Sequence, residues 1–135
     1  MVKVSTGEDC GNAPKKAFVL DFLIANASGD TEKALSMVAD DVRIELVGRE
    51  VHEGKSAFAE ILRRDDAAID ELEVHNILSH GDRCAANGVW YFADGGTVAF
   101  NSMYRFNGHG KNAVLRQIDT YSIVMEKTPT GRAAS

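Results

Sequence analysis

Three glycine-bearing turns in the second half of the chain, set between alternating segments, constrain the fold most. They are His80-Gly81-Asp82, Asp94-Gly95-Gly96 and Asn107-Gly108-His109-Gly110. Each supplies the Gly, Asn or Asp that a tight hairpin requires, and each is flanked by runs rich in β-branched and aromatic residues. The segments near Leu72 to Ser79, Arg83 to Ala93, Thr97 to Phe106 and Asn112 to Met125 therefore read as four antiparallel strands.

Such a sheet must bury one face, and the first half of the chain supplies the cover. Pro14 suits a first helical turn, and Phe18, Val19, Phe22, Leu23 and Asn26 follow helical spacing, which predicts a helix from about Pro14 to Ala27. Ser28-Gly29-Asp30 ends it, and Asp30 or Thr31 caps a second helix that turns Ala34, Leu35, Met37 and Val38 inward. Alternation begins at Val42, with Val42, Ile44 and Leu46 on one side and Arg43 and Glu45 on the other. Gly48 and Gly54 bracket a short extended piece, Glu50 to His52, before Ser56 to Arg64 resumes a helical period through Phe58, Ile61 and Leu62.

This order is α+β. The expected architecture is one domain in which a cone-shaped, curved antiparallel sheet packs on N-terminal helices around an apolar pocket. The expected boundaries are a flexible leader over 1–13, the domain over 14–126 and a frayed tail over 127–135.

Composition narrows the partners. A net charge of -5, with the basic residues scattered, argues against a phosphate-backbone partner. No window approaches the roughly 18 apolar residues of a membrane span, and the start has no basic flank followed by an apolar run. The expectation is a cytoplasmic protein that binds neither nucleic acid nor membrane. Cys10 and Cys84 lack the spacing of a disulfide framework or a CxxC metal site and are expected as free thiols. His52, His75, His80 and His109 fall on separate elements without ligand spacing, so no metal is expected. The glycine turns lack the strand, loop and helix context of a phosphate cradle, so no cofactor is expected either.

Four phrases carry a family resemblance. They are Val19-Leu20-Asp21-Phe22-Leu23 through Ser28-Gly29-Asp30, Ala39-Asp40-Asp41-Val42, Gly54-Lys55-Ser56-Ala57-Phe58, and Tyr104-Arg105-Phe106-Asn107-Gly108-His109-Gly110-Lys111. With the element order they make Ala17 to Val124 similar to the nuclear-transport-factor-2-like superfamily, which includes steroid delta-isomerases, limonene-epoxide hydrolases and SnoaL-like polyketide cyclases. These phrases are structural, so function has to be read from pocket positions. The resemblance places Phe22, Leu46 and Ser102 where the isomerases hold a Tyr and two Asp residues. It places Ile44, Leu46, Asn87, Val89 and Gln117 where the epoxide hydrolases hold theirs. Neither catalytic set is present.

What remains is the last strand, where Leu115, Gln117, Asp119, Tyr121 and Ile123 alternate onto one face and read as a pocket wall. A carboxylate in an apolar cone has a raised pKa, which makes Asp119 the candidate general acid or base, as in the SnoaL-like cyclases by role. Phe22, Leu46, Asn87, Val89, Ser102, Tyr104, Gln117 and Tyr121 are the expected ligand-pocket residues. The competing reading has Asp119 bonded to a neighbouring Tyr, Arg or amide, or facing solvent. Two functions follow: a cofactor-free isomerase, cyclase or hydrolase acting on a small apolar molecule, or a non-catalytic ligand-binding or dimerisation module. Trp90 and Phe92 on one face, with Val89 and Tyr91 on the other, give that strand two apolar sides. They predict a homodimer through the outer sheet face.

Overall fold

Seven strands form one curved, open sheet in the computed structural model, which describes residues 2–64 and 68–125. In chain order the elements are β1 (Lys3–Thr6), α1 (Pro14–Ala27), α2 (Thr31–Ser36), β2 (Val38–Leu46), β3 (Glu50–Glu53), α3 (Lys55–Arg64), β4 (Ile69–His80), β5 (Arg83–Phe92), β6 (Thr97–Phe106) and β7 (Leu115–Met125). Across the sheet they lie β1-β4-β5-β6-β7-β2-β3. The meander β4 to β7 is antiparallel throughout, and β2 joins it in parallel beside β7.

Local chemistry accounts for the helices. Pro14 opens α1 behind an extended Ala13, and Gly29, at φ 73, takes the left-handed turn after its end. The Asp30 side chain accepts a hydrogen bond from the Lys33 amide at 3.1 Å and caps α2. α2 is shorter than the sequence suggested. Val38, expected on its inner face, instead begins β2, and the Met37 carbonyl accepts from the Leu115 amide at 2.9 Å. Pairing with β7 outweighs another helical turn for a β-branched residue.

The N-terminal segment also departs from expectation. Within 1–13, read as a flexible leader, β1 pairs in parallel with β4, Lys3 to Glu71 through Thr6 to Val74, and Cys10 is buried in the core. β4 would otherwise be an open edge, and a four-residue polar strand is too short to show a period. β4 also begins earlier than the expected Leu72, at Ile69, and Glu71 is buried. The tail expected over 127–135 lies outside the described residues.

The core fills the concave side. Val19, Phe22 and Leu23 of α1 and Phe58 of α3 meet Leu72, Val74, Ile77, Phe100, Tyr104 and Ile118 of the sheet. Phe22 is the hub, 6.0 Å from the Phe58 ring in a stacked arrangement and 6.2 Å from Tyr104 edge to face.

Candidate functional site

Register decides which side chains share the concave, helix-covered face. One row across it runs Glu50, Leu46, Thr120, Ser102, Ala86 and Ile77. The next runs His52, Ile44, Ile118, Tyr104 and Cys84. Residues directly opposite in neighbouring strands point to one side, so these rows are the inner surface.

Exposure on the inner surface rises toward the end of β7. Ile118 is buried, Thr120 and Ser122 are half-buried, and Val124 is 80% exposed. Leu46, Trp90 and Val98 are half-buried at the same end, and Trp90 stacks on Phe100 with centroids 4.3 Å apart. Polar groups are few and placed. Ser102 Oγ and Thr120 Oγ1 share a hydrogen bond at 2.9 Å, and the Arg49 guanidinium donates to Ser122 Oγ at 3.4 Å. Burial pushes the Tyr104 hydroxyl well above its ordinary range, against a smaller pull from its contact with Ser102, so Tyr104 is a neutral donor or acceptor.

A charged cluster stands on the edge of this surface. Glu50 Oε1 accepts from Arg64 Nη2, which reaches across from α3, and lies 3.0 Å from His52 Nε2. The hydrogen bond from Arg64, then that from His52, lowers the Glu50 carboxyl to about 2. Sequence reading overlooked this grouping, treating His52 as isolated. Its signal is there: Glu50 and His52 are two apart on one strand, hence on one face, and α3 ends on paired arginines.

The expected pocket residues divide between the two faces. Phe22, Leu46, Ser102 and Tyr104 lie on the inner surface. Asn87, Val89, Gln117 and Tyr121 lie on the outer one, where Asn87 accepts from Asn76 at 3.1 Å and Tyr121 is 52% exposed. Asp119 lies there too, opposite Met103 and Glu45. Its Oδ2 accepts from Gln117 at 3.1 Å, and its Oδ1 is 3.7 Å from the Arg43 guanidinium. The expected wall of Gln117, Asp119 and Tyr121 is thus corrected to the convex face. The cause is one irregularity: Phe106 pairs with Leu115 while Arg105 pairs with Gln117, so Arg116 is an extra residue. Leu115 points inward as expected, but parity flips after it. Among the described residues no three His, Cys, Asp or Glu side chains are grouped to hold a metal, and no helix is long and apolar enough to cross a membrane.

Order of elements, an open curved sheet and a helix-covered inner surface together define an α+β domain of the nuclear-transport-factor-2-like class. The SnoaL-like domain family matches residues 19–127, and the chain belongs to that family. Solved structures agree on the fold. An NTF-2 like protein of unknown function from Burkholderia xenovorans LB400 superposes with a TM-score of 0.72 at 14% identity, covering 89% of this chain and 91% of that one. A candidate ketosteroid isomerase from Kribbella flavida gives 0.69 at 15%, covering 84% and 80%. An epoxide hydrolase from M. tuberculosis, described as LEH-like, gives 0.63 at 21%, covering 79% and 80%. Comparison with curated protein sequences gives no match. The structures that share this fold thus include isomerase-like and epoxide-hydrolase-like proteins.

Proposed function

We propose that the protein binds a small, largely apolar molecule against the inner surface of its sheet, toward the exposed end of β7. The supporting observations are the paired hydroxyls of Ser102 and Thr120, which Leu46 flanks in the same row, and the half-buried Trp90 and Val98 further along the same face. An apolar wall with a few placed hydrogen-bonding groups is the usual make-up of a small-molecule site. Both familiar catalytic sets are replaced and Asp119 faces outward, so the binding role comes first. The enzymatic version, a cofactor-free isomerase, cyclase or hydrolase, requires a proton carrier on the inner surface.

Trp90 is the single tryptophan, which makes binding directly readable. Titration with 1-nitronaphthalene, an apolar quencher, is expected to quench Trp90 fluorescence along a saturable one-site curve. Leu46→Asp removes most of the apolar gain of a buried leucine and should weaken binding about tenfold or more. Linear, unsaturating quenching that is the same in both proteins would reject the proposal.

The outer face supports a second element of this reading, a homodimer. Leu78, Met103, Tyr121 and Ile123 are large, exposed and on that face, and Arg43, Glu45, Arg105 and Asp119 around them offer both signs of charge. A twofold axis can match such a surface to itself. Sedimentation should find a dimer for the native chain and a 14.6 kDa monomer for the double variant Met103→Asp, Ile123→Asp. A monomeric native chain at micromolar concentration would remove the dimer from the proposal. Two buried free thiols suit a reducing compartment, which fits a cytoplasmic protein.

A further inference from the structure

We infer that His52 is the proton-transfer residue of the inner surface, held by Glu50 and Arg64, and that its substrate is a neutral, apolar carbonyl compound. The inference rests on the pocket reading above and deepens it.

Position comes first. His52 and Glu50 sit on the edge strand β3, opposite Ile44 and Leu46, so both side chains project to the inner surface that α3 covers. They are 25% and 34% exposed, partly removed from water yet still accessible. Arg43, Glu45 and Glu53 share these strands but alternate to the other face, so among the described residues Glu50 is the charged group that meets the imidazole, and Arg64 holds Glu50.

The connectivity defines a chemistry. Arg64 keeps Glu50 ionised, and Glu50 engages His52 through Nε2. A neutral imidazole that donates its Nε2–H to a carboxylate carries its lone pair on Nδ1, and the carboxylate stabilises the imidazolium once Nδ1 takes a proton. Arg64 thus fixes the orienting group, Glu50 positions the base, and His52 moves the proton. A second pair on the same chain shows what is special here. His75 Nε2 lies 2.6 Å from Glu73 Oε1 at the same i, i+2 spacing. That pair is on the exposed β4 surface, and among the described residues no arginine forms an ion pair with its carboxylate.

The surroundings select the substrate. Ile44, Leu46 and Ile118 favour an apolar body. The Thr120 and Ser102 hydroxyls lie two and three strands from Glu50, roughly 10 to 15 Å at strand spacing, within reach of the far end of a bicyclic molecule. In the step, His52 Nδ1 removes a proton from the carbon next to the carbonyl. The C–H bond breaks, an N–H bond forms, and the electron pair moves onto the carbonyl oxygen as an enolate. Return of a proton from the imidazolium to carbon restores the ketone, with no net oxidation and no other reactant. In D2O the imidazolium exchanges with solvent first, so deuterium enters the substrate.

The probe is 2-tetralone, its exchange in D2O followed by proton NMR with the full chain. The native protein is expected to exchange it about 100-fold or more above buffer, the usual scale of a placed acid-base group. His52→Asn should fall to the buffer rate while 1-nitronaphthalene still quenches Trp90 as in the native protein. Glu50→Gln should slow exchange with quenching unchanged, and Glu50→Asp should recover part of the rate, which a merely structural carboxylate would not do. His75→Gln should leave the rate untouched. The inference is overturned if His52→Asn exchanges as fast as the native chain, or if the native chain binds the quencher but exchanges 2-tetralone no faster than buffer. Absence of saturable quenching overturns the pocket reading and this inference together, and is distinguished from the other failures by that signal.

Discussion

Gly88→Ala is expected to destabilise the protein by about 3 kcal/mol, the upper end of ordinary overpacking costs, and so to lower the melting temperature by roughly 10 °C. The reason is space. A Cβ built on Gly88 would stand 2.0 Å from the Glu73 carbonyl oxygen and 3.1 Å from Val74 Cα, all backbone of the paired strand. Nothing there can rotate away, as the end of a flexible side chain would. The approach is this close because β4 is irregular at this point, with Val74 opposite Gly88 and Asn76 opposite Asn87, so that His75 is an extra residue. A bulge bends the strand that carries it and increases the local twist. Gly88 is thus the counterpart of the bend, and the bend helps give the sheet the concave side on which Leu72, Val74 and Ile77 are buried. Gly110, with no atom within 4 Å of its would-be Cβ and no positive φ, is the control, and Gly110→Ala should stay within about 0.5 kcal/mol of the native chain. Thermal unfolding of the two variants checks the pair. Equal melting temperatures would show that the strands can separate at the bulge without cost.

What the sequence disclosed and what it hid share one physical cause. Binary patterns report secondary structure well wherever the period runs unbroken. β6 spans Thr97–Phe106 as its alternation and flanking turns predict, and α1 spans Pro14–Ala27 between a proline and a glycine signal. The α+β order, the antiparallel meander and the inward placement of Phe22 and Leu46 follow from those runs. Face assignments fail where one residue is added. Counting by twos from the buried Leu115 puts Asp119 in the core; the extra residue at Arg116 moves it out beside Arg43 and Gln117. Such a bulge leaves no local mark, since Arg116 is an unexceptional strand residue and the ladder it disrupts is with a distant partner. The Glu50, His52 and Arg64 cluster was hidden for another reason. Arg64 is 14 residues from Glu50, and only the return of α3 over β2 and β3 brings them together. β1 was hidden because its partner, β4, lies some 68 residues away.

The second large effect is expected at Phe22, where Phe22→Ala should cost about 3 to 5 kcal/mol, a substantial part of the 5 to 15 kcal/mol that holds a typical domain folded. Phe22 is 2% exposed and contacts both the α3 ring of Phe58 and the β6 ring of Tyr104. Its removal takes away a buried aromatic's transfer energy, two ring pairs and the filling of the space between helices and sheet. Phe22→Leu keeps an apolar side chain in most of that space and should cost less than half as much. The effect reaches the site, because Phe58 anchors α3 against Phe22, and the same helix carries Arg64, which ties Glu50 to it. If Phe22 holds α3 over the inner surface, Phe22→Ala should loosen Trp90 probe binding beyond what its distance from the exposed end suggests, whereas Phe22→Leu should retain it. The same cycle separates packing from position: in Phe22→Ala combined with Phe58→Ala, the losses in binding should be less than additive, since both act through the placement of α3 and one variant has already freed the helix that the other would release. Chemical denaturation gives the stability difference and Trp90 quenching gives the binding difference. Fully additive binding losses would mean that Phe22 stabilises the core without positioning α3.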